Sequence, residues 1–144
     1  MLSIQFPEPD FNIRTIDGKE HIFDNVRKRW VRLTNEEWVR QNFIRYLTDV
    51  KNYPASLISV EKEITLHELK KRYDIAVYKK SVPWLLVECK EMNVPITENV
   101  LDQLLRYNYN ITATYLVITN GNQSFGWKIE KGNFIEINVL PDWN

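Results

Sequence analysis

The stretch "RYDIAVYKKSVPWLLVECK", residues 72–90, constrains the fold more than any other part of the chain. Two runs rich in β-branched, aromatic and aliphatic residues flank a short polar connection, the pattern of two antiparallel strands joined by a tight loop. If the loop is centred on Ser81, the numbers of paired residues sum to 162, so Tyr78 faces Trp84, Ala76 faces Leu86 and Asp74 faces Glu88. Directly opposed residues carry their Cβ atoms roughly 4.5–5.5 Å apart on one face. The side-chain period of two adds Lys90 to that face. The second strand is apolar from Trp84 to Val87 and then ends in charge.

The flanking segments supply the partners such a hairpin needs. In "FNIRTIDGKEHIF" two alternating runs surround Asp17-Gly18, a strong hairpin signal, and "RKRWVRL" adds another extended piece. At "LTNEEWVRQNFIRYL" the period becomes helical: Thr34 and Glu37 form a capping box, Leu33 can staple to Trp38, and Val39, Phe43 and Leu47 recur on one face. A helix from Asn35 to Thr48 is expected, then a strand in "SLISVEKEI" after Tyr53-Pro54. A second helix is expected from Thr97 to Asn108, a buried strand in "TYLVIT" and a terminal hairpin in "FGWKIE" and "FIEINVL". The order is α/β, a central mixed sheet flanked by helices with β-hairpins at both ends. It reads as one domain: an extended N-terminal arm over 1–33, a core over 34–120 and a C-terminal hairpin over 121–144.

Composition excludes several classes. Lys+Arg and Asp+Glu are balanced at 19 each, so attraction to nucleic acid must come from local patches. Two such patches exist, "RKRWVR" (Arg27 to Arg32) with Trp30 available for stacking, and "LKKRY" (Lys70 to Arg72). The single cysteine, Cys89, rules out an internal disulfide and is expected to be a small buried side chain facing away from Glu88. His21 and His67 have no partners at ligand spacing. No apolar run approaches the about 18 residues of a membrane span, and "MLSIQFPEPDF" lacks the features of a secretory signal, so a cytoplasmic protein is expected.

The chemistry concentrates at the end of the second strand. An acidic residue two before a lysine occurs at Asp17/Lys19, Asp49/Lys51, Glu68/Lys70 and Glu88/Lys90, and only the last pair closes an apolar strand with an aspartate on the strand beside it. Opposed carboxylates destabilise a sheet unless something positive lies between them. Mg²⁺ takes carboxylate oxygens and phosphate oxygens together, and Lys90 beside it could orient a water or neutralise developing charge. A solvated, salt-bridged strand end is the competing reading.

With its two runs, "RYDIAVY…PWLLVECK" resembles motifs II and III of the PD-(D/E)xK nuclease superfamily. More narrowly, the chain is similar to the N-terminal nuclease domain of type I restriction enzyme R subunits and to stand-alone relatives, from "LTNEEWVRQ" through "LDQLLRYNY" to "LVITNG". The proline of the superfamily name is Tyr73 here. The resemblance implies a restriction-endonuclease-like core and Mg²⁺- or Mn²⁺-dependent hydrolysis of DNA, in restriction or DNA repair. It also implies Asp74 and Glu88 as metal ligands and Lys90 as the catalytic lysine. Gln103 and Tyr107, four apart on one helical face, match the Gln-x-x-x-Tyr motif of this branch and are expected to meet substrate. An acidic residue on the first helix often completes such sites; Glu36 shares its face with Val39, Arg40 and Phe43 and is chosen over Glu37, the capping residue. R subunits continue into a helicase motor, so a chain of 144 residues is expected to act alone, as a homo-oligomer or with a partner protein. The alternative is a catalytically silent DNA-binding or assembly module that keeps the fold.

Overall fold

The structure, a computed structural model, describes residues 1–66 and 68–144, with the Leu66 side chain left aside; His67 lies outside the described residues. The described residues form two sheets and two α-helices. β1 (Ile13–Ile16), β2 (Lys19–Asp24) and β3 (Arg29–Arg32) form an antiparallel three-stranded sheet. Asp17 and Gly18 join β1 to β2 with φ of 51° and 76°, the mirror-image turn the Asp-Gly pair favours. α1 (Asn35–Arg45) starts where the cap signal placed it, the Glu37 N–H donating to Thr34 Oγ1 at 3.0 Å. Beyond Arg45 the chain continues as a π-helical turn, Tyr46–Val50, so the expected helix end near Thr48 falls inside a wider-wound extension.

Six strands make the second sheet in the order β4-β5-β6-β7-β8-β9. These are β4 (Ile58–Leu66), β5 (Leu69–Lys79), β6 (Val82–Cys89), β7 (Tyr115–Thr119), β8 (Ser124–Glu130) and β9 (Asn133–Ile137). Every neighbouring pair is antiparallel except β6 and β7. Parallel neighbours need a crossover, and α2 (Glu98–Tyr107) provides it. The mixed α/β architecture is the expected one. Its core has two layers. Val39, Phe43 and Leu47 pack with Ile75, Val77, Leu85, Val87 and Val117 on the α1 side. Leu104 of α2 packs with Ala76, Leu86, Leu116 and Ile118 on the other. Among the described residues no helix is long and apolar enough to cross a membrane.

The β5–β6 register agrees with the expected sum in the core and departs from it at the turn. Ile75↔Val87, Ala76↔Leu86 and Val77↔Leu85 all sum to 162, but Tyr78 pairs with Pro83 and Lys79 with Val82. Trp84 is therefore the extra residue of a β-bulge, and the expected Tyr78–Trp84 pair does not form. The loop is the two residues Lys80 and Ser81, both left-handed at φ 52° and 66°, rather than a connection centred on Ser81. The bulge takes up the offset and restores the register where the core needs it. The freed Trp84 ring joins an aromatic cluster, 5.4 Å from Tyr53 and 5.3 Å from both Tyr115 and Trp143.

Candidate functional site

β6 is apolar while both its faces are covered, then meets a break in the sheet. Leu85, Leu86 and Val87 are almost fully buried; Glu88 and Lys90 are only partly covered, with the buried Cys89 between them. On one side the Lys90 N–H continues the pairing with β7, donating to the Thr119 carbonyl at 2.8 Å. On the other side the ladder to β5 stops at Ile75↔Val87, and the Cys89 N–H donates to Asp74 Oδ2 at 2.7 Å. A carboxylate thus takes the place of the next backbone carbonyl. Burial pushes the Cys89 thiol well above its ordinary range, so it is an inert core group.

The Asp74 carboxylate reaches that position because β5 rolls. The β4–β5 ladder pairs Val60↔Ile75 and Lys62↔Tyr73 but skips Glu61 and Asp74, and Glu61 is left-handed at φ 53°. Strict alternation would put Tyr73 with Ile75 on the α1 side. Instead the Tyr73 ring packs with Ala76 and Leu86 on the α2 side, and its hydroxyl donates to Asn108 Oδ1 at 2.6 Å. Asp74 turns the other way, towards Arg40 of α1. Asp74 and Glu88 therefore do not face each other as a simple cross-strand pair; they flank the end of β6, each in different company. Bulges and left-handed non-glycine residues of this kind gather where a strand must re-aim a side chain.

On the α1 side, one buried guanidinium gathers four carboxylates. Arg40 Nη2 lies 3.4 Å from Asp74 Oδ1 and 3.5 Å from Glu36 Oε1, and Nη1 lies 3.2 Å from Glu61 Oε1 and 3.5 Å from Glu37 Oε1. Burial disfavours the Arg40 charge, but Glu37, Asp74 and Glu61 more than offset it and raise its pKa. The pKa of Glu36 is raised as well, which for a carboxyl group disfavours the charged form. Burial and the neighbouring Asp74 lift its pKa, and the nearby cations Arg40 and Lys90 offset this only in part. Glu37 is structural, as expected, but it is not the reciprocal capping box. Its carboxylate accepts from Arg27 Nη2 at 2.8 Å and from Gln41 Nε2 at 3.0 Å.

On the α2 side, Glu88, Lys90, Gln103 and Tyr107 line one cleft of about 200 Å³ together with Lys71. Lys71 Nζ is 3.5 Å from Glu88 Oε1 and sits over the Tyr73 and Tyr107 rings at 5.3 and 5.8 Å. Gln103 Nε2 lies 3.5 Å from Tyr107 Oη, as their spacing implies. Lys90 makes no ion pair among the described residues, and its charge acts on Glu36 across the strand end as well as lining this cleft. The expected residues thus form two half-sites, Glu36 with Asp74 and Glu88 with Gln103 and Tyr107, with Lys90 addressing both. No group of three His, Cys, Asp or Glu side chains among the described residues is already set to hold a metal ion.

Sequence reasoning missed three members. Arg40 was read only as a core-facing residue. Lys71 lay within a basic run already marked for phosphate contact. Glu61 could have been found by the same arithmetic applied to the β4–β5 hairpin, whose pairs sum to 135 and set Glu61 opposite Asp74.

The family model for the type I restriction enzyme R protein N terminus (HSDR_N) matches residues 35–141, from the start of α1 to beyond β9. No curated protein and no solved structure matches the chain. The α/β architecture, a six-stranded mixed sheet and a three-stranded sheet with two helices, is that of a restriction-endonuclease-like fold. The chain belongs to the family of type I restriction enzyme R protein N-terminal domains.

Proposed function

We propose that this domain hydrolyses DNA phosphodiester bonds with a divalent cation at the end of β6, in DNA restriction or repair. The observation that carries the proposal is the break in the sheet, where Asp74 caps the Cys89 N–H while Glu88 and Lys90 open into the cleft beside Gln103 and Tyr107. The donor set fits Mg²⁺ or Mn²⁺. Asp74, Glu88 and Glu36 offer hard carboxylate oxygens, and the contact of Glu36 with Asp74 is a like-charge conflict that a cation relieves. Asp74 and Glu88 would hold the ion, which when bound supplies Lewis acidity towards a phosphoryl oxygen. Lys90 neutralises charge that develops on the phosphoryl group or orients the attacking water. Gln103 and Tyr107 receive the substrate backbone, and Arg40 fixes the Asp74 carboxylate.

One observation favours a second reading, a silent DNA-binding module: Asp74 and Glu88 each already carry a protein cation, Arg40 and Lys71. The two readings separate in one experiment. Purified protein with Mg²⁺ or Mn²⁺ is expected to nick supercoiled plasmid, and Lys90→Ala to lower the rate by roughly 10²-fold or more. Cutting by Lys90→Ala at the wild-type rate sinks the assignment. Binding to DNA without cutting by the wild type establishes the silent module instead.

A further inference from the structure

The family match begins at residue 35, so β1, β2 and β3 lie outside it, and their side chains are sorted in an unusual way. In the register, Arg14 pairs with His21 and His21 with Arg32, and Phe23 pairs with Trp30. With a period of two, Arg14, Lys19, His21, Phe23, Trp30 and Arg32 share one face. The other face holds Ile22 and Asp24, both fully buried, as well as Glu20. It is tied to α1 through Asp24–Arg27 and Arg27–Glu37 ion pairs. A chain with 19 acidic and 19 basic residues thus presents a sheet face carrying three cations, a histidine, two aromatic rings and no carboxylate.

The aromatic pair is open to a planar ligand. Phe23 and Trp30 meet edge-on at 5.4 Å, and both are only half-buried. The exposed Arg14 guanidinium lies 4.1 Å from the Trp30 ring centroid, so the ring already accepts a flat group on its face. A nucleobase can take that place and release Arg14 to a phosphate. An unpaired base offers its π face to such a ring, whereas a duplex keeps its bases stacked on one another. The face also leads to the site. Trp30 and Arg32 of this face, with Arg29 and Val31 of the opposite one, form the β3 side of a cleft of about 480 Å³ that also holds Glu36, Arg40 and Glu61.

We propose that the outer face of the β1–β3 sheet is a docking platform for single-stranded DNA, bases on Phe23 and Trp30 and phosphates on Arg14, Lys19 and Arg32, which leads the strand to the end of β6. This rests on the nuclease reading above and names the form of its substrate. The test is fluorescence anisotropy with a labelled oligothymidylate and with a duplex of equal length, in EDTA and over a series of salt concentrations. The proteins compared are the wild type, the Arg14→Ala/Arg32→Ala double variant and Trp30→Leu, with thermal melts to show that each folds.

The wild type is expected to bind the single strand at least about tenfold more tightly than the duplex. The double variant is expected to lose about tenfold or more in affinity, and its log–log salt slope to fall by roughly 0.7 per arginine. Trp30→Leu is expected to weaken binding and to remove part of the tryptophan quenching seen on titration. Unchanged affinity and slope in the double variant, or equal affinity for duplex and single strand, overturns the platform. Because EDTA removes any role for a metal, the outcomes are separable. Plasmid nicking that persists beside unchanged binding in the double variant refutes the platform alone; platform-dependent binding without nicking by the wild type refutes the nuclease reading alone.

Discussion

Arg40 is the residue on which the α1 half of the site is built. A planar guanidinium presents several N–H groups in a fixed fork, which suits it to hold Asp74, Glu36, Glu61 and Glu37 at once in a way that an ammonium cannot. Its neighbours titrate in opposite directions. The hydrogen bond from Arg40 holds Glu61 below the ordinary carboxylate range, so its contribution to stability is present above the unfolded-state pKa and is lost as pH falls through the folded one. Glu36 is raised by burial and by Asp74; the folded protein then holds its proton more tightly than the unfolded chain, and stability declines as pH rises through its folded pKa. Glu36→Gln is therefore expected to raise the melting temperature modestly at neutral pH and to flatten its dependence on pH above the ordinary carboxylate range. The gain is small because the side chain is 49% exposed. Melting curves from mildly acid to neutral pH check this, and curves that coincide with the wild type at every pH contradict it.

At the scale of elements, the roll of β5 at Tyr73 and Asp74 decides which helix each residue serves. Tyr73 latches β5 to α2: its hydroxyl donates to Asn108, whose own amide returns to the Leu104 carbonyl at 2.7 Å. Both side chains are essentially buried, so Tyr73→Phe leaves the Asn108 oxygen without a donor and is expected to cost about 1–3 kcal/mol. Chemical denaturation measures this; a midpoint equal to that of the wild type contradicts it. Much of this scale was legible in the sequence. Thr34 caps α1, accepting from the Glu37 N–H, and the Asp17-Gly18 turn is where its residues put it; at α2 the expected first residue, Thr97, is instead the cap, accepting from the Val100 N–H. The core register of β5 and β6 was also readable, because only one offset buries Ala76 against Leu86 and Val77 against Leu85. The bulge at Trp84 was not, since it depends on the Lys80-Ser81 turn and on an aromatic cluster drawn from distant segments, Tyr53, Tyr115 and Trp143. Nor was the roll at Asp74, which follows from the left-handed Glu61 on a neighbouring strand.

At the scale of the whole molecule, the six-stranded sheet carries a half-site on each side of one strand end, and the three-stranded sheet stands beside the α1 half. The candidate residues could be named from sequence because an apolar strand ending in Glu88 and Lys90 next to Asp74 is informative at short range. Their division between two helices could not, because it is a property of how α1 and α2 clasp the sheet. Asp74 and Glu88, one from each half-site, would together hold the divalent cation, with Arg40 orienting the Asp74 carboxylate. Titration of Mn²⁺ followed by electron paramagnetic resonance, on the wild type and on Asp74→Asn and Glu88→Gln, tests this most directly. The wild type is expected to bind Mn²⁺ saturably, and each substitution, one from either side of β6, to weaken binding by about tenfold or more. Mn²⁺ binding that either variant leaves unchanged would show that the two carboxylates do not serve one ion, and the proposed centre would be wrong.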